Sequence, residues 1–146
     1  MKNLLVAIDR RQDAEQLMTH AINIAKLTDA KIWIMHVTEA DPDDFLAREA
    51  GPQYVYEKRA KERKNASVEI QKWVEEVKEK YSIDIEGLVI SGEVAKSIKK
   101  IVDERNIDLV VAGHKKKNLL YGLFAANKKK DLIDDLKIPL LAIPLI

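Results

Sequence analysis

The sequence predicts an α/β fold in which helices cover both faces of a five-stranded parallel sheet. Five short apolar runs alternate with four longer segments whose apolar residues recur every three or four positions. Runs without polar alternation are typical of strands buried on both faces, and the longer period is typical of amphipathic helices. This alternation implies right-handed βαβ crossovers and three layers, α/β/α. At 146 residues, the chain is expected to form one domain over 1–146.

The first half of the chain predicts two strands separated by a helix, followed by a second helix. The strands are LLVAID at 4–9 and AKIWIMHV at 30–37. Residues 13–28 carry one apolar stripe and are therefore expected to be helical. The highly charged segment from about 55 to 81 predicts a surface helix. Its inward stripe consists of Ile70, Trp73, Val74, Val77 and Tyr81.

The second half predicts three more strands and two helices. DIEGLVIS at 84–91 is the third strand, and Gly92-Glu93 opens a helix with an apolar stripe. The fourth strand is expected at 107–113, a last helix at about 127–136 and a terminal strand at 138–146. Residues 38–54 form the only long irregular stretch, which in a compact domain is usually functional or mobile. A lid over the binding site is one role for it.

Composition narrows the classes of function. The 25 basic and 24 acidic residues leave a net charge of +1, which argues against a surface built for nucleic acid. With no cysteine, there is no disulfide framework and no thiolate chemistry. No apolar run approaches the length of a membrane span, and Met1-Lys2 leads directly into the first strand rather than into a signal region. A cytoplasmic location is expected.

The fold class predicts where a ligand binds. In open parallel sheets, ligands lie beyond the carboxyl ends of the strands, where the strand order reverses. The first four predicted strands finish at Asp9, Val37, Ser91 and Gly113. These residues should therefore surround a common site.

Four stretches in this order resemble the universal stress protein family over nearly the whole chain. They are LLVAID with its following helix, AKIWIMHVTE, SGEVAKSIKKIVDERNIDLVVAGH and the closing IPLLAIPLI. The resemblance implies a Rossmann-like, adenine-nucleotide-hydrolase-like fold with strand order 3-2-1-4-5 and a role in stress response. It also implies a homodimer joined through the terminal strand, with candidate contacts Leu140, Leu141, Ala142 and Ile143.

The glycine motif of the family's nucleotide-binding members is degenerate here. Those members carry a glycine, two residues, a glycine, nine residues, and a third glycine followed by Ser or Thr. The corresponding positions are Gly113, Lys116, Ala126 and Asn127, so three of four depart. Glycine lets the backbone adopt positive φ and approach phosphate oxygens, whereas Lys116 adds a long side chain. Ala126 is a milder change, and Asn127 can still cap a helix.

Other residues of this sequence match the family's nucleotide pocket more closely than the glycine motif does. Asp9 matches the acid near the adenine or ribose, and Val37 matches the apolar residue that lines the base, although Arg10-Arg11-Gln12 replaces the usual Gly-Ser. Asp9 can instead accept backbone N–H bonds at the strand end. Lysines at 115–117 and 128–130 can pair with phosphate directly, so ATP with Mg²⁺ is the candidate cofactor. The candidate nucleotide-binding residues are Ala7, Ile8, Asp9, Val37, Gly113, His114, Lys116, Ala126, Asn127 and Lys128.

No catalytic or metal site is expected. His20, His36 and His114 fall on a helix flank, a strand end and a loop, and form no recognisable metal or acid–base set. The acids at 41–44 lack the glycine and distal glutamate of an EF-hand loop.

An apolar segment lies between two lysine clusters at 115–130. One interpretation is a lid, and a second is a docking surface for a protein or an anionic membrane. A third is a cover for the sheet edge whose lysines stay in water. Nucleic acid is not expected, because aromatic platforms are scarce. The apolar residues are Leu119, Leu120, Tyr121, Leu123 and Phe124.

Two prolines mark the terminal strand as an edge strand. Pro139 and Pro144 cannot donate to a ladder, so interrupted pairing is expected. A second subunit would cover this apolar edge. The sequence therefore predicts a dimeric binding or interaction module in stress response rather than an enzyme. The alternative is an adenine-nucleotide-binding switch with slow ATP hydrolysis.

Overall fold

Five strands form one parallel sheet in the order β3-β2-β1-β4-β5. The computed structural model describes residues 1–8, 11–38, 52–92, 94–114 and 136–145, with the backbone alone at 11, 37, 38, 52–56 and 59. The predicted parallel sheet and its strand order are confirmed. The described elements are β1 (Asn3–Ile8), α1 (Arg11–Thr28), β2 (Lys31–Thr38), α2 (Pro52–Tyr81), β3 (Ile85–Ser91), α3 (Val94–Arg105), β4 (Leu109–His114) and β5 (Leu140–Pro144).

The predicted boundaries lie within three residues of these elements. The terminal strand is two residues shorter at each end than the expected 138–146, because its ladder runs from Leu140 to Pro144. Helix α2 starts at Pro52, because proline suits the first turn, where no N–H is needed. Residues 52–54, the end of the stretch expected to be irregular at 38–54, therefore belong to α2. The helix expected at 127–136 lies outside the described residues, apart from Leu136.

Alternate residues of the central strand point into two separate cores. Leu4, Val6 and Ile8 face α1 and α2, whereas Leu5 and Ala7 face α3. All five are at most 3% exposed. The lack of polar alternation in β1 thus follows from helices on both faces of the sheet.

A glycine in β3 lets α2 pack closely on the sheet. A Cβ at Gly87 would collide with Cγ2 of Ile70 and lie 3.4 Å from Cγ2 of Val74. Ile70 and Val74 are themselves buried, so neither can easily move away. Close packing against α2, and not an unusual backbone conformation, therefore requires glycine at this position.

Each of the three described helices ends at a residue in the left-handed region. Asp29, Ser82 and Asn106 have φ of 57°, 53° and 52°. The N–H of Ser82 donates to Lys78 O at 3.1 Å, and the N–H of Ile107 donates to Val102 O at 3.1 Å. Asn and Asp tolerate this conformation better than other residues with a Cβ. These ends turn the chain back into the strands that follow α1, α2 and α3.

At the amino edge of the sheet, Asp108 fastens the start of the chain to β4. Its Oδ2 accepts the backbone N–H of Lys2 at 2.7 Å and that of Asn3 at 3.0 Å. Asn3 Nδ2 also donates to Asn106 O at 3.3 Å. These bonds set the register of β1 against β4, in which Leu4 pairs with Leu109.

The terminal strand is an edge strand, as predicted, but its expected interruption is wrong. β5 pairs with β4 continuously from Leu140 to Pro144. Val110 N donates to Pro139 O at 3.1 Å, and Leu145 N donates to His114 O at 3.2 Å, so the odd-numbered residues bond to β4. Because backbone N–H groups alternate in direction along a strand, the ring nitrogen of Pro144 faces the open side. The β4 ladder therefore loses no hydrogen bond there.

Candidate functional site

The candidate site lies at the carboxyl edge of the sheet, where the strand order reverses. β1 has β2 on one side and β4 on the other, and all three run parallel. Ile8 and His114, the last residues of β1 and β4, therefore meet at one edge although a hundred residues separate them. Ligands of open parallel sheets bind at such a reversal.

The structure describes four of the candidate nucleotide-binding residues in full and a fifth, Val37, by its backbone. Ala7 and Ile8 are buried, and Ala7 pairs with Ala112 of β4. Gly113 is buried and His114 is exposed. Val37 is described by its backbone alone, within β2. Asp9, Lys116, Ala126, Asn127 and Lys128 lie outside the described residues, and so do Leu119, Leu120, Tyr121, Leu123 and Phe124.

The one glycine of the motif that this chain keeps is packed against the end of the chain. A Cβ at Gly113 would collide with Cδ1 of Leu145 and lie 2.8 Å from its Cγ. Among the described glycines, Gly92 alone has positive φ, at 134°. Gly113 is therefore not held by a left-handed backbone. It leaves room for an apolar side chain that joins the core on the α1 and α2 face.

His36, which the sequence predicts at the end of a strand, contacts the backbone at this edge of the sheet. Nδ1 of His36 lies 3.2 Å from Ile8 O, and the half-buried ring borders a cavity of about 30 Å³. Glu69 and Trp73 of α2 line the same cavity. Sequence reasoning did not connect α2 with this edge, because the contact depends on how far the long helix reaches.

A buried carboxylate was also missed by sequence reasoning. Asp13, in the first turn of α1, is 4% exposed, and its Oδ2 has no hydrogen-bond partner within the described residues. The helix dipole favours a negative charge in the first turn. A buried oxygen without a partner nevertheless needs an explanation, such as a donor from a ligand. Because the first turn of α1 follows the end of β1, this unpaired oxygen lies near the carboxyl edge of the sheet.

The amino-terminal half of α2 extends past the same edge. Ala66 and Glu69 lie beside Ile8 and His36, so the residues before Ala66 project beyond the sheet. No side chain described between 57 and 69 is buried. Five basic and three acidic residues occupy this range, which leaves a net positive surface next to the candidate site.

Neither a metal cluster nor a membrane span is found in the described ranges. Their His, Asp and Glu side chains form no group of three that could hold a metal ion. None of the described helices is both long and apolar enough to cross a membrane.

Comparison with known proteins identifies relatives along nearly the full length of the chain. A universal stress protein of Methanocaldococcus jannaschii is 24% identical over 97% of this chain and 81% of its own length. A universal stress protein A homolog of Haemophilus influenzae is 26% identical over 99% of this chain and 96% of its own.

Solved structures share the fold at lower identity. The universal stress protein UspA from Lactobacillus plantarum superposes with a TM-score of 0.69 at 18% identity, covering 97% of both chains. Two further structures, with TM-scores of 0.57 and 0.56, are a universal stress protein in complex with cAMP and one from Archaeoglobus fulgidus in complex with dAMP. They are 18% and 17% identical to this chain and cover 98% of it.

The family model also matches nearly the whole chain. The model of the universal stress protein family matches residues 1–144. Together with the strand order and the two relatives, this match decides the assignment: the chain belongs to the universal stress protein family.

Proposed function

We propose that this protein is a dimeric binding or interaction module whose nucleotide pocket is degenerate, and that it does not act as a catalyst. The observation that carries the proposal is the contact between Gly113 and Leu145. The single glycine left of the motif is used for packing, whereas Lys116, Ala126 and Asn127 replace the others.

The dimer in this proposal forms through the open edge of β5. The outward N–H groups belong to the even-numbered residues, so Leu140 and Ala142 can donate to a second copy and Pro144 cannot. Leu140 is half-buried and Ala142 exposed, so both remain accessible at the edge. Pairing with another subunit would cover a strand that otherwise invites aggregation.

Replacing Ala142 by proline tests this interface. Ala142→Pro removes an outward N–H and leaves the β4 ladder intact, so we expect a folded monomer by light scattering and circular dichroism. Ala142→Ser keeps the N–H and should remain dimeric. A proline variant that dimerises as tightly as the unchanged protein would exclude this edge as the interface.

The segment at 115–130 is the proposed partner surface, on the strength of its sequence. Leu120→Ser with Phe124→Ser should reduce flotation with vesicles that contain phosphatidylserine if the partner is an anionic membrane. Lys116→Glu should reduce it as well. Equal flotation of the unchanged protein, the double serine variant and the Lys116→Glu variant would exclude an anionic membrane as the partner. The segment would then be a cover for the sheet edge or a protein-binding surface.

An adenine-nucleotide-binding switch is the second candidate. It is favoured by the cAMP and dAMP complexes of structurally similar family members and by the retained Asp9. A ligand bound only by the folded state raises the melting temperature by mass action. No shift at millimolar Mg-ATP would eliminate the switch. If a shift appears, Asp9→Ala and Lys116→Glu should each reduce it.

A further inference from the structure

A groove of about 690 Å³ runs between α1 and α2 on the outer side of the sheet. Met18 and Ile22 of α1 form its floor, and both are 7% exposed. Trp73, Val77 and Tyr81 of α2 form one wall. Its volume is in the range of sites for small organic ligands, and its lining combines apolar side chains with the polar ones of Gln12, Glu15, Thr19 and Glu76.

The groove and the nucleotide site have different linings. Tyr81 is the last residue of α2, so one end of the groove lies towards the amino edge of the sheet, whereas Gln12, in the first turn of α1, lies near the carboxyl edge. Trp73 borders both the groove and the small cavity beside His36. None of the candidate nucleotide-binding residues that the structure describes lines the groove.

The charges at the groove favour a cation. Glu15 of α1 and Glu76 of α2 both line it and are exposed, and no lysine or arginine is among the described residues that line it. Two carboxylates at the mouth of an apolar groove attract a positive group and repel an anion. The ligand expected there combines an apolar body with one positive charge.

The contacts of the aromatic rings in the wall restrict where a cation can bind. The Nζ atoms of Lys26 and Lys80 lie 4.6 Å and 5.3 Å from the centroid of the Tyr81 ring. The chain's own ammonium groups thus lie against that end of the wall and oppose a second cation there. A ligand's charge should instead lie near Trp73, between Glu15 and Glu76, where an aromatic face and two carboxylates act together.

We propose that the groove between α1 and α2 binds a small organic cation, with its charge between Glu15 and Glu76 and its apolar body against Met18, Ile22 and Val77. Benzyltriethylammonium is a suitable probe. Benzyl alcohol and phenylmethanesulfonate serve as neutral and anionic counterparts.

The two tryptophans provide an internal comparison in a ¹H–¹⁵N spectrum. The indole of Trp73 lines the groove, whereas the indole N–H of Trp33 donates to Asn3 Oδ1 at 3.3 Å, away from it. We expect the cation to shift the Trp73 signal saturably and leave the Trp33 signal in place, with an affinity roughly tenfold above that of benzyl alcohol. Equal shifts of both signals, or equal affinity for the sulfonate, would overturn the proposal.

Two matched double variants test the role of the carboxylates. Glu15→Gln with Glu76→Gln should lower the affinity for the cation roughly tenfold and leave that for benzyl alcohol unchanged. Glu75→Gln with Glu79→Gln removes the same charge from exposed positions outside the groove and should have little effect. All four positions are exposed, so the variants should fold. Equal losses in both double variants would show that the cation responds to net charge alone.

Discussion

The contact between Gly113 and Leu145 gives this glycine a role that needs no nucleotide. In a phosphate-binding loop, glycine serves for positive φ or for close approach of the backbone to an oxygen. Here the close approach is made by the Leu145 side chain, and the backbone at Gly113 has no positive φ. A stability measurement can separate the two roles.

Gly113→Ala should lower the free energy of unfolding by about 1–3 kcal/mol, the usual penalty for overpacking. The added methyl group meets the half-buried side chain of Leu145, which packs against the core on the α1 and α2 face. In a Leu145→Ala background the same substitution should cost much less. Urea denaturation of the four proteins measures this coupling. Equal losses in both backgrounds would refute the packing role.

Asp108 links the stability of the amino edge to pH. The hydrogen bond from the Lys2 backbone N–H, and then that from Asn3, hold the pKa of this carboxyl below its ordinary value. Since the folded-state pKa is depressed, the stabilisation is present above the unfolded-state value near pH 4 and is lost as pH falls through the folded-state pKa.

Asp108→Asn should therefore reduce stability at neutral pH and flatten the decline of stability in acid. Thermal unfolding followed from pH 7 to pH 2 tests this, because the difference between the two proteins should shrink below about pH 4. Asp103→Asn, at a nearby exposed acid for which no such bonds are seen, provides the control. A constant difference across this range would mean that the carboxylate bonds do not contribute.

At the scale of elements, the residues with positive φ that follow the helices are positions where a substitution can raise the free energy of unfolding. Ser82 directly follows α2, has φ of 53° and is exposed. Ser82→Gly should raise the free energy of unfolding by about 0.5–1 kcal/mol, because glycine adopts this conformation without a Cβ clash. Ser67→Gly, an exposed position inside the same helix, should instead lower it by a few tenths of a kcal/mol. If both variants lose stability, the end of α2 is not strained.

Element type was predictable wherever local pattern decided it. The central strand could be recognised because helices cover both faces and remove any polar alternation. The extent of α2 was harder to predict, since none of its described side chains between 57 and 69 is buried and that range therefore shows no apolar period. The β5 ladder was misjudged because sequence shows that Pro144 lacks an N–H and does not show which side that nitrogen faces.

For the whole molecule, the position of the site followed from topology, and its details did not. A parallel sheet with a reversal beside β1 brings Ile8 and His114 together whatever their side chains are. The packing of Leu145 on Gly113 and the isolation of Asp13 arise from long-range contacts that no local pattern encodes. The packing of Leu145 argues against a phosphate-binding role for Gly113, at an edge whose strand order is that of nucleotide-binding folds.

Native mass spectrometry of protein purified without added nucleotide tests the central claim most directly. We expect a dimer of twice the 16.6 kDa chain mass with no additional ligand. The mass should stay the same after incubation with millimolar Mg-ATP and removal of the excess. A dimer that carries one adenine nucleotide per chain, or a chain that remains monomeric at micromolar concentration, would contradict this account.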